Sequence, residues 1–434
     1  MKKLLFFWSE LKSTFWFVPV IIIVGAIFFA ILILSIDGNL ALKNEGIKRF
    51  FFIGSSASAR SVLSTISGAM IGVAGTVFSV TLVALTLASS QFGPRLIRNF
   101  MYVRLNQVVL GTYISTYIYC LIVLNTIKDT ENYKFIPSLS ILFSILFAVM
   151  NIVLLIIFIH RIAISIQADH VISEISVSIG KEVKKLFPET EDDEQEEPII
   201  VDLKEETAIY RNEISIPATQ YGYVQYVDID ALLQLATESK SLIKLNYRPG
   251  SYIVKGIDLG TLYYHEIEED ILEKIQKQFI LGSARTSQQD IELSIHQMVE
   301  IAVRALSPGV NDPYTAISCI DNLTSTLCYL STKKFPPSYR FDDEENLRVI
   351  TNAYDFELVT DVAFNQIRLY SAGNTAVVLK LMDALVLIHK MVKNQKYKDA
   401  AKKHAKKVLN VGQQCISDKE DLEILTEKSK EILG

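Results

Sequence analysis

Residues 61–90 read SVLSTISGAMIGVAGTVFSVTLVALTLASS, a 30-residue run without a charged side chain or histidine. A helix needs about 20 predominantly apolar residues to cross the hydrocarbon core of a bilayer. Three further runs, 14–36, 108–127 and 138–159, meet the same requirement. The sequence therefore predicts a mainly α membrane protein with four transmembrane helices, and the lipid bilayer as its first partner.

The composition supports this class of protein and divides the chain in two. Of 434 residues, 50% are apolar and 21% charged, and the mean hydropathy is +0.28. Residues 1–164 carry a net charge of +8, and residues 165–434 carry −13. The second part is therefore expected to be an acidic soluble body, which would repel a phosphate backbone and excludes nucleic acid as an expected partner.

The pattern along the chain predicts four regions. Residues 1–160 form the four-helix transmembrane domain, and residues 161–197 a stalk helix followed by an acidic linker with seven acids in 189–197. Residues 198–264 contain strand-like runs and are predicted to form a small β-rich, barrel-sandwich-like module. The turn Arg248-Pro249-Gly250 between two of these runs predicts a hairpin. Residues 265–434 have helical periodicity, including predicted helices at 266–281, 343–352 and 356–370, and form a helical cytoplasmic domain.

The orientation follows from weaker signals. Four spans place both termini on the same side of the membrane. The four cysteines, Cys120, Cys319, Cys328 and Cys415, have no metal-binding spacing and are expected to be reduced thiols. We therefore expect a multi-pass protein of the plasma membrane with both termini in the cytoplasm.

The second span is unusually rich in small residues. Ser64, Gly68, Gly72 and Thr76 are four residues apart and form one stripe on a helix. Small residues let helix backbones approach closely in lipid. The stripe is interpreted either as a packing seam against the other three spans or as a seam between subunits, where it could form the wall of a pore.

Motifs for chemistry are missing from the sequence. No span contains Asp, Glu, Lys, Arg or His, which disfavours a proton-coupled carrier. Asn125 and Asn151 are the strongest polar groups in the spans and are expected to hydrogen-bond between helices. The sequence has no nucleophile elbow, Walker loop, HExxH or GxGxxG motif. We therefore expect no enzyme activity, no metal and no cofactor.

The densest local motif is Ser307-Pro308-Gly309-Val310-Asn311-Asp312-Pro313. Pro308 and Gly309 end one helix, and Asp312 is suited to cap the next, which starts at Pro313. The motif is either a rigid turn or part of a small polar pocket. In the second interpretation, Ser307 and Asn311, closed by Arg285 and Asp290, could bind a small anion or the carboxylate of a protein partner.

At these motifs the chain resembles a bacterial family of predicted integral membrane proteins described as a domain of unknown function. The resemblance rests on the Ser-Pro-Gly-x-Asn-Asp-Pro element and on the end of the second span, Ala88-Ser89-Ser90-Gln91-Phe92-Gly93-Pro94-Arg95. The Arg-Pro-Gly turn and Gln366-Ile367-Arg368 extend it over nearly the whole chain. The resemblance implies no particular activity.

Two functions fit these observations. The first is an oligomeric channel or transport protein that is gated by its cytoplasmic domain, with the small-residue stripe as its wall. The second is a membrane-anchored sensor or scaffold that acts through the cytoplasmic domain.

Overall fold

The computed structural model describes residues 14–39, 55–93, 104–130, 133–187 and 201–434. Pro94, Arg95 and the predicted acidic linker lie outside these residues. The chain divides into two compact units, Met1–His170 and Val171–Gly434, called here the membrane unit and the second unit.

The membrane unit contains four long apolar helices. Each is long and apolar enough to cross a membrane, which confirms the prediction of four spans among the described residues. A two-stranded antiparallel hairpin lies between the third and fourth helices. The elements are α1 (Phe17–Asn39), α2 (Ser56–Phe92), α3 (Arg104–Thr126), β1 (Lys128–Thr130), β2 (Tyr133–Phe135) and α4 (Ser138–Ser165).

Helix α3 is central in the membrane unit, because it packs against α1, α2 and α4. Gly111 allows the closest approach: a Cβ at this position would lie 3.0 Å from the Pro19 Cα of α1. Tyr113 and Tyr119 of α3 are fully buried and fill the space towards α4. Dispersion between closely packed surfaces holds such helices together in lipid, where the hydrophobic effect contributes little.

Polar contacts join α4 to its neighbours. Asn151 donates from Nδ2 to the Thr116 hydroxyl at 2.8 Å, so the prediction of an interhelix hydrogen bond at Asn151 is confirmed. Near the end of α1, the Asp37 carboxylate accepts from the backbone N–H groups of Leu139 and Ser140 at 3.0 and 2.9 Å. These are free N–H groups of the first turn of α4, so Asp37 caps a helix other than its own.

The second unit contains all but the first three residues of the predicted stalk helix, α5 (Ala168–Leu186). Its apolar side chains at Ile172, Ile175, Ile179 and Val183 are buried, as expected from their helical spacing. Phe187, which follows α5 and is also buried, makes an edge contact with the Phe335 ring at 5.1 Å between centroids. Phe187 therefore joins the end of α5 to its own unit.

Two sheets and three short helices follow. A five-stranded sheet has the order β3-β7-β5-β10-β9, and a three-stranded sheet has the order β6-β4-β8. The strands are β3 (Asn212–Pro217), β4 (Gly222–Val227), β5 (Leu242–Leu245), β6 (Tyr252–Ile253), β7 (Asp258–Tyr264), β8 (Phe279–Gly282), β9 (Tyr339–Phe341) and β10 (Leu347–Ile350), and the helices are α6 (Leu203–Ala208), α7 (Ile229–Glu238) and α8 (Ile271–Gln276).

The β region extends beyond residue 264, and two predicted helices are wrong. The segment 266–281 contains only the short α8 and then strand β8. The segment 343–352 contains β10, which pairs in parallel with β5 through Val349 and Ile243. All four residues of β10 are buried, and burial in a sheet overrides local helical preference.

The Arg-Pro-Gly turn does not form the predicted hairpin. The strand before it, β5, pairs with β7 and β10, whereas the strand after it, β6, pairs with β4 in the other sheet. The turn is therefore a corner between two sheets. Between them lies an apolar core that includes Ile216, Val224, Ile243 and Leu262.

Six helices complete the second unit, and each starts at an aspartate or asparagine whose side chain accepts a hydrogen bond from a backbone N–H of the first turn. Such caps satisfy N–H groups that the helix itself leaves free. The helices are α9 (Ile291–Ala305), α10 (Pro313–Leu330), α11 (Phe356–Tyr370), α12 (Thr375–Met391), α13 (Gln395–Cys415) and α14 (Lys419–Leu433).

Candidate functional site

The small-residue stripe of α2 faces away from the other three spans. Ser64, Gly68, Gly72 and Thr76 are all exposed on the surface of the membrane unit. A Cβ built on Gly68 or Gly72 would meet no atom within 4 Å. The residues that α2 buries in the unit lie on another face and are Ala59, Leu63, Ser67, Met70, Ala74, Val77, Thr81, Ala88 and Phe92. The stripe is therefore not the seam between the chain's own described spans.

Three hydroxyl groups on the exposed side of α2 donate hydrogen bonds to the backbone of their own helix. Thr65, Thr76 and Ser79 each donate to the carbonyl oxygen four residues earlier, at 2.8, 3.3 and 3.0 Å. Because each proton is used within the helix, the surface presents hydroxyl oxygens and glycine backbone. A second helix can approach such a surface closely.

The Ser-Pro-Gly-x-Asn-Asp-Pro motif is a tight loop between α9 and α10. The Ser307 hydroxyl donates to the Arg304 carbonyl at 2.6 Å, and the Ser307 carbonyl accepts from the Asn311 N–H at 2.9 Å. Asn311 is exposed and has a φ of 49°, a conformation that asparagine tolerates better than most residues. Asp312 caps α10 as expected, accepting from the Thr315 N–H at 3.2 Å and the Thr315 hydroxyl at 2.6 Å.

The structure separates the residues proposed for one pocket. Arg285 and Asp290 lie at the N-terminal end of α9, whereas Ser307 and Asn311 lie beyond its C-terminal end. A helix of 15 residues is about 22 Å long at 1.5 Å per residue. The four residues therefore do not line one site, and the motif has the geometry of a rigid turn.

Arg285 and Asp290 instead belong to a largely buried group of side chains, called here the ionic cluster: Arg248, Arg285, Asp290, Glu292 and Tyr354. Arg285 donates to both Asp290 oxygens, from Nε at 2.6 Å and from Nη2 at 2.7 Å. Asp290 is fully buried and also caps α9. Bidentate pairs of this geometry are among the strongest hydrogen bonds between side chains.

The other members of the cluster complete the pairing. Arg248 donates to Glu292 at 2.6 Å, and its guanidinium lies 5.1 Å from the centre of the Tyr354 ring. The Tyr354 hydroxyl donates to the Pro249 carbonyl at 3.2 Å. Two guanidinium groups therefore face two carboxylates, and the formal charge of the cluster is zero.

The pKa values within the cluster follow from burial and pairing. Burial alone would lower the pKa of Arg285, but Asp290 and Glu292 outweigh it, and the pKa is raised. Burial raises the pKa of Tyr354, and the neighbouring Asp290 adds to the effect. Arg285 therefore keeps its charge at neutral pH, and the Arg248–Glu292 pair joins the corner at Arg248 to the first turn of α9.

Glu182 of the stalk helix lies near the same end of α9. Burial raises the pKa of Glu182, against smaller opposing contributions from Ser294, Ser287 and Ser178. The Ser178 hydroxyl lies 3.5 Å from one carboxylate oxygen. Glu182 is therefore an ionisable group of α5 that lies beside the first turn of α9, the helix that Asp290 caps.

Sequence reasoning found only part of this arrangement. It named Arg285 and Asp290 as neighbours and quoted Arg248 as part of a turn. It missed Glu292 and Tyr354, because neither lies in a motif. The Pro-Gly corner beside Arg248 is the one sequence signal that could have led to the cluster.

The fold and these surfaces define an integral membrane protein with four spans and a large second unit. The chain belongs to a family of predicted membrane proteins, DUF2254, whose model matches residues 12–386. The expected resemblance to an uncharacterised membrane family is thereby confirmed.

Similar proteins occur in mycobacteria. Uncharacterized proteins of Mycobacterium bovis and of Mycobacterium tuberculosis strain H37Rv are each 30% identical to this chain over 383 residues. The matched region is 86% of this chain and 72% of each relative. No solved structure matches the chain.

Proposed function

We propose that this protein is an oligomeric channel or transport protein of the plasma membrane, assembled through the stripe of α2 and gated by its second unit. The observation that carries the proposal is the position of Ser64, Gly68, Gly72 and Thr76 on the outside of the membrane unit. Glycine and hydroxyl groups gain little from contact with lipid tails, whereas they pack well against another helix. A second copy of the chain therefore fits this surface.

The dimensions of α2 support a role in the wall of an assembly. It has 37 residues, about 55 Å at 1.5 Å per residue, whereas the hydrocarbon core is about 30 Å thick. Hydroxyl oxygens and glycine backbone in several copies would give a neutral polar lining. Residues 61–90 of α2 carry no charged side chain, so permeation along this wall would not depend on a titrating group.

The orientation is part of the proposal. Four spans return the chain to its starting side, so both termini lie on one side of the membrane, and we propose that this side is the cytoplasm. The free thiols of Cys319, Cys328 and Cys415 in the second unit suit a reducing compartment.

Substitution of one glycine tests the assembly. In the full chain in nanodiscs, Gly72→Leu should abolish or reduce the oligomer, because a bulky side chain prevents close approach of two helices. Gly25→Leu is the matched control, because Gly25 is also exposed with open space around its Cβ, on α1. Mass measurement of the assemblies distinguishes the variants, and equal oligomers in both would contradict the proposed seam.

Flux measurements test the transport step. Liposomes loaded with small ions and containing the wild-type chain should leak, and Gly72→Leu should reduce the leak more than Gly25→Leu. Liposomes that stay tight at high protein load would contradict a channel. An intact oligomer without flux would favour the second proposal, a membrane-anchored sensor or scaffold. In that proposal α5, which follows α4 after only two residues, transmits conformational changes of the spans to the second unit.

A further inference from the structure

Four exposed apolar side chains lie together on the second unit, on the loop between β3 and β4 and on β6 with the loop that follows it. We call them the tyrosine patch: Tyr221, Tyr252, Val254 and Ile257. Their exposed fractions are 63%, 56%, 48% and 41%. Contiguous exposed apolar surface of this kind marks sites of interaction with a partner or a membrane.

The two loops, together with the adjoining strand residues, span 217–222 and 252–257, and backbone pairing shows that they are neighbours. Gly222 pairs with Ile253, and Tyr223 with Tyr252, in the antiparallel ladder of β4 and β6. At the other end of the loops, the Gly256 N–H donates to the Ala218 carbonyl at 2.9 Å, and the Ala218 N–H donates to the Ile257 carbonyl at 2.8 Å. The patch is therefore one surface on a hydrogen-bonded frame.

The ring of Tyr252 is held in place at the edge of this surface. It makes an edge contact with the Tyr223 ring, with centroids 5.0 Å apart. The neighbouring residues Val224 and Ile253 are buried in the core between the sheets. The exposed rings therefore project from a fixed base.

The charge of the two loops differs from that of the region around them. Residues 165–434 carry a net charge of −13, but the twelve residues of the two loops contain no Asp or Glu and one Lys. That residue, Lys255, is exposed between Val254 and Ile257. Exposed Asp258 directly follows the second loop, so this surface is locally close to neutral, and an anionic surface would be repelled less here than by most of this acidic unit.

We propose that the tyrosine patch binds the surface of an anionic lipid bilayer. Tyrosine rings favour the boundary between headgroups and hydrocarbon, because their apolar body and polar tip suit both. A lysine beside them is attracted to anionic headgroups. The four spans tether the chain to a membrane, so this contact is made at high effective concentration and requires only a small surface.

Lipid quenching of an introduced tryptophan tests the contact in the full chain. Trp8 and Trp16 are the two tryptophans and are first replaced by Phe. Tyr252→Trp is then reconstituted in vesicles of phosphatidylglycerol and phosphatidylcholine with bromine on the upper acyl chain. We expect bromine to remove much of the indole fluorescence from position 252. Tyr314→Trp is the matched control, because Tyr314 is 79% exposed on α10 of the same unit, and it should stay bright.

The outcomes are distinct. Quenching at position 252 but not at position 314 supports the proposal. Full emission at position 252 overturns it, and so does equal quenching at both positions, which shows proximity of the whole unit without a specific surface. Fluorescence at position 252 that is not quenched by bromine but changes with the protein density in the vesicles would show that the patch binds another copy of the chain. That result also overturns the proposal.

A charge variant tests the choice of an anionic surface. Lys255→Gln should weaken binding of the patch about fivefold at low salt, the effect of one lysine near anionic lipid. The control Lys396→Gln removes an exposed lysine from α13 and should leave the quenching unchanged. Equal quenching for Lys255→Gln and the parent, in anionic and in purely zwitterionic vesicles, would overturn the electrostatic part of the proposal.

Discussion

Gly250 is the residue on which the corner beside the ionic cluster depends. Its φ of 91° lies in a region that side chains rarely adopt. A Cβ at this position would collide with an Asp290 oxygen and lie 2.9 Å from Arg285 Nη2. Because both atoms belong to a buried bidentate pair, they cannot move aside without loss of hydrogen bonds.

We therefore expect Gly250→Ala to lower the free energy of unfolding of the second unit by about 3 kcal/mol, combining backbone strain and a disturbed ion pair. Gly256→Ala is the control: its φ is 88°, but a Cβ would meet nothing within 4 Å. That variant should cost only about 1 kcal/mol of backbone strain. The reactivity of the buried Cys319 thiol during denaturation measures the free energy of unfolding of both variants. Equal losses would show that contact with the ionic cluster does not contribute to the requirement for glycine at position 250.

Helices α11 and α13 pair around a buried histidine. His404 of α13 is fully buried, and its Nε2 lies 2.9 Å from an Asp361 oxygen of α11. Burial lowers the pKa of His404 to about 4, and Lys407 adds to the effect, whereas Asp361 opposes it. The folded protein therefore holds this histidine neutral.

This pairing predicts a loss of stability in mild acid. The unfolded chain binds a proton at His404 near pH 6.5, but the folded chain does so only near pH 4. The contribution is present above pH 6.5 and is lost as the pH falls towards 4, by about 3 kcal/mol. His404→Phe should make the denaturation midpoint depend less on pH in this window. His265→Phe, at an exposed site, should keep the wild-type slope of midpoint against pH. Equal slopes in all three proteins would refute the assignment.

Elements with clear local signals were predictable. Helix α11 has the predicted bounds, because its apolar residues are helically spaced and Asp355 caps its start. Strand β10 was missed because its parallel partner, β5, lies about 100 residues earlier in the chain. The Arg248–Glu292 pair of the ionic cluster was missed for the same reason: the two residues meet only after the chain has folded.

The arrangement of the whole chain across the membrane gives a further prediction. In a background without native cysteines, Lys128→Cys lies in the hairpin after α3, and Val310→Cys lies in the loop after α9; both positions are exposed. An impermeant maleimide should label position 128 in intact cells and position 310 only after permeabilisation. The reverse pattern would place the second unit outside the cell and contradict the proposed orientation.

The membrane unit was easier to predict than the second unit for a physical reason. In lipid each span satisfies its backbone hydrogen bonds by itself, so its position can be identified from its own residues. The outward direction of the α2 stripe was left open by the sequence, because Gly68 and Gly72 suit a contact within one chain or between chains.

The parallel pairing of β5 with β10 has a consequence for synthesis on the ribosome. Ile243 and its partner Val349 are separated by about 100 residues. At about 5–20 residues per second, the bonding edge of β5 waits several seconds for its neighbour. An unpaired edge is a template for wrong association, so a nascent chain that stalls between these strands exposes β5 to aggregation and to capture by chaperones.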